Sequence, residues 1–431
     1  MTGEIPHHTT ENNSILGLSW LKDIREHASR TFMEKGFPSK RNESWKYTSI
    51  GQVIEKNIDP VHARASAVCQ SPLVGSYVIT LIDGELDMAQ SEIPDELSVI
   101  RLDKNDLSPE VSRIFQKLHR REDISEDSTT QVALNIARAD QALLIHVPKG
   151  KNVDRVIEIH HVLSGSSVGG RYTQLWLDQD VDSNVTLLER FYGTDAGGNE
   201  KQMSSLQNHV SYIGLDKGAT LYHYRLQDSP LSITHLYTAR LTQSDHSVYR
   251  SFTLTSGATL SRQEIRSELN GSHIVCDQKG VTLGRNKQHH DAYLPVTHHQ
   301  PESSSNQHFR QLLDDQSKGV FYGSIQVPKS SIKTESHQLN QNILLSPAAQ
   351  AFTRPELDIF TDDVVCTHGA TVGDLDEQAM YYLQSRGLDE NQSKNILVKA
   401  FAEEVIVTIE NPSIMGLMLG HIQNATSKSR R

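Results

Sequence analysis

The phrase DSNVTL at Asp182–Leu187 returns as DKGATL at Asp216–Leu221 and, shortened, as SGATL at Ser256–Leu260. Each copy sets turn-forming Asp, Ser, Asn or Gly just before a short apolar–threonine–leucine run, so each reads as a corner that opens a strand. Around these phrases, from Ala142 to about Phe360, short alternating segments follow one another: ALLIHVP, VIEIHHVL, YTQLWLDQ, NVTLLERFYG, ATLYHYRLQ, LYTARLTQ and SVYRSFTLT. Each is bounded by Gly, Asp, Asn or Ser, and no long helical pattern interrupts them. Strands this short and evenly punctuated fit a sandwich, a barrel or a β-solenoid. The solenoid is preferred. The run is too long for one sandwich, and half-polar strands suit coils that bury one face and expose the other, although the repeat is not strict.

The bulk properties agree with an elongated shape. A chain of 431 residues exceeds one ordinary compact domain. Its 36% hydrophobic content is below the usual globular share and implies a thin core. A net charge of −11 with no basic block excludes non-specific binding to nucleic acid or an anionic membrane. The opening MTGEIPHHTTENNS lacks the features of a signal peptide, and no apolar run is long enough to span a bilayer, so a cytoplasmic location is expected. Cys69, Cys276 and Cys366 are scattered, which argues for a reducing compartment and against a disulfide framework. Three cysteines without a C-x-x-C pair cannot build a closed four-thiolate site.

The flanks read as helical. Trp20, Leu21, Ile24, Ala28 and Phe32 carry the period of a helix within a stretch from Ile15 to about Lys56, broken at Gly36 and Pro38. YVITLIDGEL at Tyr77–Leu86 reads as strand, Asp83–Gly84 turn and strand, and about 105–140 reads as helical again. Beyond the strands, LDEQAMYYLQSRG ends at Gly387 as a helix should, Asp389 caps the next helix, and Pro412 opens a last one. Three regions follow: 1–140 mainly helical, 141–365 the β core, and 366–431 helical.

Four groups of residues carry possible chemistry. Cys366 and His368, in VVCTHGATVGDLDE (Val364–Glu377), point to one face of a strand and offer a thiol and an imidazole to iron or zinc. Two ligands do not close a site, and a packed cysteine beside a hydrogen-bonded histidine is the plainer reading of the spacing alone. His289, His290, His298, His299 and His308 are dense but have no partner Glu or Cys at ligand spacing, so hydrogen bonding across strands explains them as well. RNESWKYTS, with Trp45 and Tyr47, reads as an aromatic anchor or a stacking surface. In NILVKAFAEEVI, apolar Leu397, Phe401 and Val405 either pack internally or dock a partner. Cys276 reads as a core residue. The chain has no P-loop, G-x-G-x-x-G or G-x-S-x-G, so it is not expected to hydrolyse ATP.

DDVVCTHGATVGDLDEQAMYYLQSRGL resembles the C-terminal signature of the SufD branch of the SufB/SufD family, part of the Suf iron–sulfur cluster assembly machinery. The similarity extends through KGVFYGSIQV, SHQLNQNILLSPAAQAFTRPELDIF and the histidine-rich segment to ESWKYTS near the start, and is looser between about 60 and 130. The Gly369-Ala370-Thr371-Val372-Gly373 run after His368 stands where the SufB branch has Glu-Ala. The resemblance implies a right-handed parallel β-helix core flanked by N-terminal and C-terminal helical regions. It implies a non-catalytic scaffold subunit that pairs with a SufB-like paralogue and docks a SufC-like ABC ATPase through its C-terminal helices, with a homodimer plausible in isolation. No cofactor is expected to stay on the chain alone; the nascent iron–sulfur cluster would form transiently at the paired interface. His368 falls on the family's implicated ligand, with Cys366 beside it. Ser331-Ile332 replaces the family's frequent Ala-Gln, and Ser303–Ser305 stand where some relatives carry a cysteine. Two alternatives remain: a stand-alone metal-binding β-solenoid using His289–His308, and a carbohydrate-active β-helix enzyme, which would need a groove of Asp, Lys or Arg and an export signal.

Overall fold

A computed structural model describes residues 19–50, 58–61, 67, 69–94, 98–101, 109–118, 129–139, 141–165, 169–193 and 205–428. Nineteen strands among them form two facing, mainly parallel sheets, wound as a β-solenoid of about seven turns. One sheet runs β19-β17-β15-β13-β11-β9-β7-β5-β1-β2 and the other β18-β16-β14-β12-β10-β8-β6-β4-β3. Odd and even strands thus alternate between sheets, as a coil that visits each wall once per turn requires.

The repeated phrases are corners. DSNVTL and DKGATL precede β7 (Asn184–Gly193) and β9 (Thr220–Asp228), which pair in register as neighbouring coils. SGATL instead precedes β12 (Leu260–Leu269), on the opposite wall. The repeat looked imperfect because one phrase serves two different corners. At the first corner Asp182, Gly218, His246, His273, Glu302 and Lys333 all have left-handed φ, between 55° and 70°. Each sends its N–H to a carbonyl of the next coil, from Asp182 to Lys217 (3.0 Å), Gly218 to Asp245 (2.9 Å), and so on to Lys333 and Asp363 (2.6 Å). The left-handed backbone is costly for non-glycine residues, and this second ladder holds it in place.

Inward residues stack in columns along the axis. One column runs Val185, Leu221, Tyr249, Cys276, Ser305, Ser336, Cys366; its neighbour runs Leu187, His223, Ser251, Gln278, Gln307, Gln338, His368. Apolar side chains at the start give way to serine and glutamine towards the end, which accounts for the low hydrophobic content. Cys276 is buried in the core, as its sequence context suggests, and burial pushes its thiol up to about 12.

The N-terminal region supplies strands as well as helices. β1 (Tyr77–Ile82) pairs with β5 (Ile157–Leu163) and turns through Asp83–Gly84 into β2 (Glu85–Leu86); β3 (Ser98–Arg101) pairs with β4 (Gln141–Val147). The helix read from Ile15 is seen as α1 (Ser19–Lys35), which ends at Gly36 with φ of 64°; Ile15 to Leu18 and Gly51 to Lys56 lie outside the described residues. α2 (Pro109–Leu118) and α3 (Thr130–Arg138) bury Val111, Ile114, Phe115, Val132 and Leu134 against Trp176 and Tyr212 of the even-numbered sheet.

At the other end α4 (Glu377–Ser385), α5 (Glu390–Ile406) and α6 (Pro412–Lys428) follow β19 (Val364–Gly373). Asp389 caps α5 through a reciprocal box with Gln392. Val398, Ala402, Ile406, Ile414, Met418 and Ile422 pack on Tyr224, Leu226, Phe252, Leu254, Val281 and Leu312 of the odd-numbered sheet. The boundary drawn at 365/366 falls inside β19, which stays paired with β17 (Thr334–Leu344) up to Gly373, opposite Ile343. No helix among the described residues is long and apolar enough to cross a membrane.

Candidate functional site

Cys366 and His368 lie on β19, the last strand of its sheet, and β18 (Gln350–Ile359) is the last strand of the other. Among the described residues each terminal strand is paired on one side only, so the final coil presents two free backbone edges. The strand alternation puts both side chains on the inward face, where the Ser and Gln columns end. Cys366 is half-buried and, like Leu357, packs against the core that includes Ile325 and Val327, whereas His368 is exposed at the open mouth of the coil.

Their surroundings separate the two. Burial raises the Cys366 thiol above its ordinary pKa, with a backbone hydrogen bond at Ser336 only partly offsetting it. The thiol must therefore lose its proton before it can hold a metal. His368 follows Gln338 in register. Gln338 Nε2 donates to Gln307 Oε1 (3.0 Å), Gln307 Nε2 to Gln278 Oε1 (3.1 Å), and Gln278 Nε2 to Ser267 Oγ (3.1 Å). Among the described residues this directional ladder leaves the buried Gln338 Oε1 without a partner, on the strand next to His368. Sequence reasoning missed Gln338, which a whole coil separates from the histidine in the chain.

The surface of this end carries several exposed apolar side chains among acidic and polar ones. Phe360 and Val365 are each 57% exposed, and Ile359 and Val372 are exposed too. α4 buries none of its residues and leaves Tyr381 at 75% exposure beside Tyr382. A free sheet edge with apolar side chains around it is a template for another chain.

The expected docking set on α5 is divided. Val405 is fully buried in the contact with the solenoid, so it is not available as a docking surface here. Phe401 packs on the same core with its ring under Arg310, 4.5 Å from the guanidinium carbon. Leu397 is half-buried, next to exposed Ile396, and does not belong to that core. The reason is the breadth of the apolar face: its inner half closes onto the sheet and its flank does not.

The histidine-rich segment does not converge. His289 bonds the Thr48 hydroxyl (2.9 Å), His298 bonds Ser303 (2.7 Å) and Ser305 (2.9 Å), His299 bonds Glu268 (2.6 Å), and His308 meets Gln341 (3.3 Å). His289 and His298 stand at opposite ends of β14, and His290 is buried. RNESWKYTS is an anchor: Trp45 is buried under Arg262, Tyr47 stacks on Phe352, and Glu43 pairs with Arg354.

Comparison with known proteins places this geometry in context. Residues 161–401 match the family model described as SUF system FeS cluster assembly, SufBD core domain, and residues 12–159 match the SufBD protein N-terminal region. The chain is 26% identical to an iron–sulfur cluster assembly SufBD family protein of Synechocystis, over 92% of this chain and 89% of the relative. It is 25% identical to the iron–sulfur cluster assembly protein SufD of Escherichia coli, over 90% and 89%. It is 23% identical to the chloroplastic protein ABCI7 of Arabidopsis thaliana, over 94% and 86%.

Proposed function

The chain belongs to the SufBD family of SUF-system iron–sulfur cluster assembly proteins, and on that premise we propose that it is a non-catalytic scaffold subunit working in the cytoplasm. It pairs through its terminal coil with a SufB-like paralogue, and the nascent cluster is their shared cargo. The observation that carries this reading is the Cys366–His368 pair on a terminal strand, the histidine exposed and the cysteine half-buried, at a free sheet edge that carries exposed apolar side chains. An incomplete ligand set at an open edge is what a shared site needs: each subunit brings part of the donors, and the cluster leaves when the edges part.

His368 gives a neutral imidazole to iron, and protonation of the ring removes the lone pair and releases the metal. Gln338 orients that ring by accepting a hydrogen bond from its N–H with the Oε1 left over from the glutamine ladder. Cys366 is the secondary donor, since its buried thiol must first be ionised. A SufC-like ABC ATPase docks on the C-terminal helices through the exposed residues Tyr381, Tyr382 and Ile396, with half-buried Leu397 beside them. Its motion reaches the cluster edge along α4, which follows β19 directly.

Pairing is tested by carrying Phe360→Asp and Val365→Asp together. Both side chains are exposed, so the isolated chain keeps its fold. Placing two desolvated carboxylates in the contact weakens association with the SufB-like subunit by about 100-fold or more. Titration calorimetry or pull-down at several concentrations reads the change. Undiminished affinity in the double variant would remove the terminal coil from the interface.

A further inference from the structure

Deep inside the solenoid, far along the axis from β19, three strands of one sheet and two of the other meet at one carboxylate. Glu189 on β7 is fully buried. Its Oε2 lies 3.1 Å from His161 Nε2 on β5 and 3.4 Å from His209 Nε2 on β8 (Ser205–Leu215). Its Oε1 lies 2.8 Å from His223 Nε2 on β9 and accepts from the Tyr237 hydroxyl on β10 (Ile233–Gln243) at 3.0 Å. Among the described residues no lysine or arginine bonds this carboxylate. Arg225, one coil on, turns to Thr253 (2.6 Å) and Gln263 (2.9 Å) and stacks on Tyr237 instead.

We propose that His161, Glu189 and His209 form an interior binding site for one divalent first-row transition-metal ion, separate from the cluster edge. His161 Nε2, His209 Nε2 and the Glu189 oxygen lie within 4.8 Å of one another. The 3.1 and 3.4 Å separations match the edge of about 3.3 Å that a tetrahedral ion needs when its bonds are about 2.0–2.1 Å. Two imidazoles and one carboxylate is a donor set for zinc or ferrous iron that leaves a position for water. An ion there supplies a fixed positive charge to a buried carboxylate whose other described partners are histidines and the Tyr237 hydroxyl.

The rings are held for this role. His161 lies flat on Phe191 at 4.1 Å, and His209 stacks on Tyr237 at 5.4 Å. With Nε2 on the ion, the ring proton of His209 sits on Nδ1, which has the Thr173 hydroxyl at 2.7 Å to receive it. His161 also lines a small cavity with Gly84, Arg171, Thr173 and Gln207, of about 10 Å³, room for about one water. A second group, His146, Asp178 and Asp180, shows the contrast. There Lys117 already sits 2.6 Å from Asp178 and occupies the place of a cation.

The test is a Co²⁺ titration of the isolated full-length chain, stripped of metal and held anaerobically, followed by visible absorption and by thermal unfolding. The wild type takes up one ion with low-symmetry cobalt bands, and its unfolding temperature rises. Glu189→Gln and His209→Gln each lose affinity by about 100-fold, while a Cys366→Ser, His368→Ala chain binds as the wild type does. If the interior variants fail to fold, this last chain still decides, because it keeps the interior donors and lacks the edge ones. No uptake by the wild type overturns the assignment, as does uptake that survives Glu189→Gln and His209→Gln or vanishes in the edge variant. Failure of the edge reading alone leaves these outcomes unchanged.

Discussion

Replacing Trp45 with alanine lowers the free energy of opening the 43–48 segment by about 3–5 kcal/mol, the cost of emptying an aromatic site in a packed core. The indole is fully buried, and the Arg262 guanidinium lies 4.0 Å from its ring. Arg262 is itself paired to Asp291 and Glu264 inside the even-numbered sheet, so its position does not depend on the tryptophan. What is lost is the lid. The segment's other contacts among the described residues include the Thr48 hydroxyl on Asp291 and His289, the Tyr47–Phe352 stack and the exposed Glu43–Arg354 pair. None of these excludes water from Arg262. Hydrogen exchange at the Thr48 amide, which bonds the Trp45 carbonyl at 3.0 Å, reads the opening directly. Trp45→Phe retains most of the protection. A loss under about 1 kcal/mol for alanine would mean that the polar contacts alone hold the segment.

Glu158→Ala has an effect of similar size, about 3–5 kcal/mol, because it strands a buried arginine. Glu158 is fully buried on β5 and accepts from Arg190 (2.8 Å), His160 (2.7 Å), the Leu73 amide (2.8 Å) and the Ser76 hydroxyl (3.0 Å). It ties the 70–76 segment to the outer face of the odd-numbered sheet. Burial works against its charge, yet the bonds from His160, Arg190 and Leu73 prevail and hold the carboxyl down to about 2. The folded pKa is thus below the ordinary value of 4.5, so the stabilisation is fully present above about pH 4.5 and is lost as pH falls towards 2. The linkage is worth on the order of 3 kcal/mol. Exchange at the Leu73 amide accelerates over that window in the wild type, and in Glu158→Gln the acid-dependent part disappears. An unchanged acid profile in Glu158→Gln would assign the effect to other carboxylates.

The solenoid was legible because its cause is local. Half-polar strands and corner residues such as Asp182 and Gly218 recur within each coil, and each coil meets only its neighbours. The third phrase, at Ser256–Leu260, misled as to strictness because the same chemistry turns both corners. Cys366 and His368 were legible as a pair because a single residue separates them in the chain and strand alternation puts them on one face. Their place at a free edge was not, since it depends on where the sheet stops. Gln338 and the knot around Glu189 were invisible for a related reason. Column partners lie a coil apart, and an inward Glu or His in VIEIHHVL or NVTLLERFYG looks like any polar residue of an alternating strand. Leu397, Phe401 and Val405 share one apolar stripe in sequence, and only packing against β13 (Val275–Gly284) and β15 (Ser304–Leu313) divides it into a buried half and an open flank.

The most direct measurement is anaerobic co-expression of the chain with the SufB-like and SufC-like proteins of its own genome, comparing wild type with His368→Ala for bound iron and acid-labile sulfide. The predicted result is an intact complex that has lost both iron and sulfide. An intact complex with wild-type iron and sulfide would contradict a cluster-binding role for His368 and leave Cys366 and His368 as residues that finish the last coil.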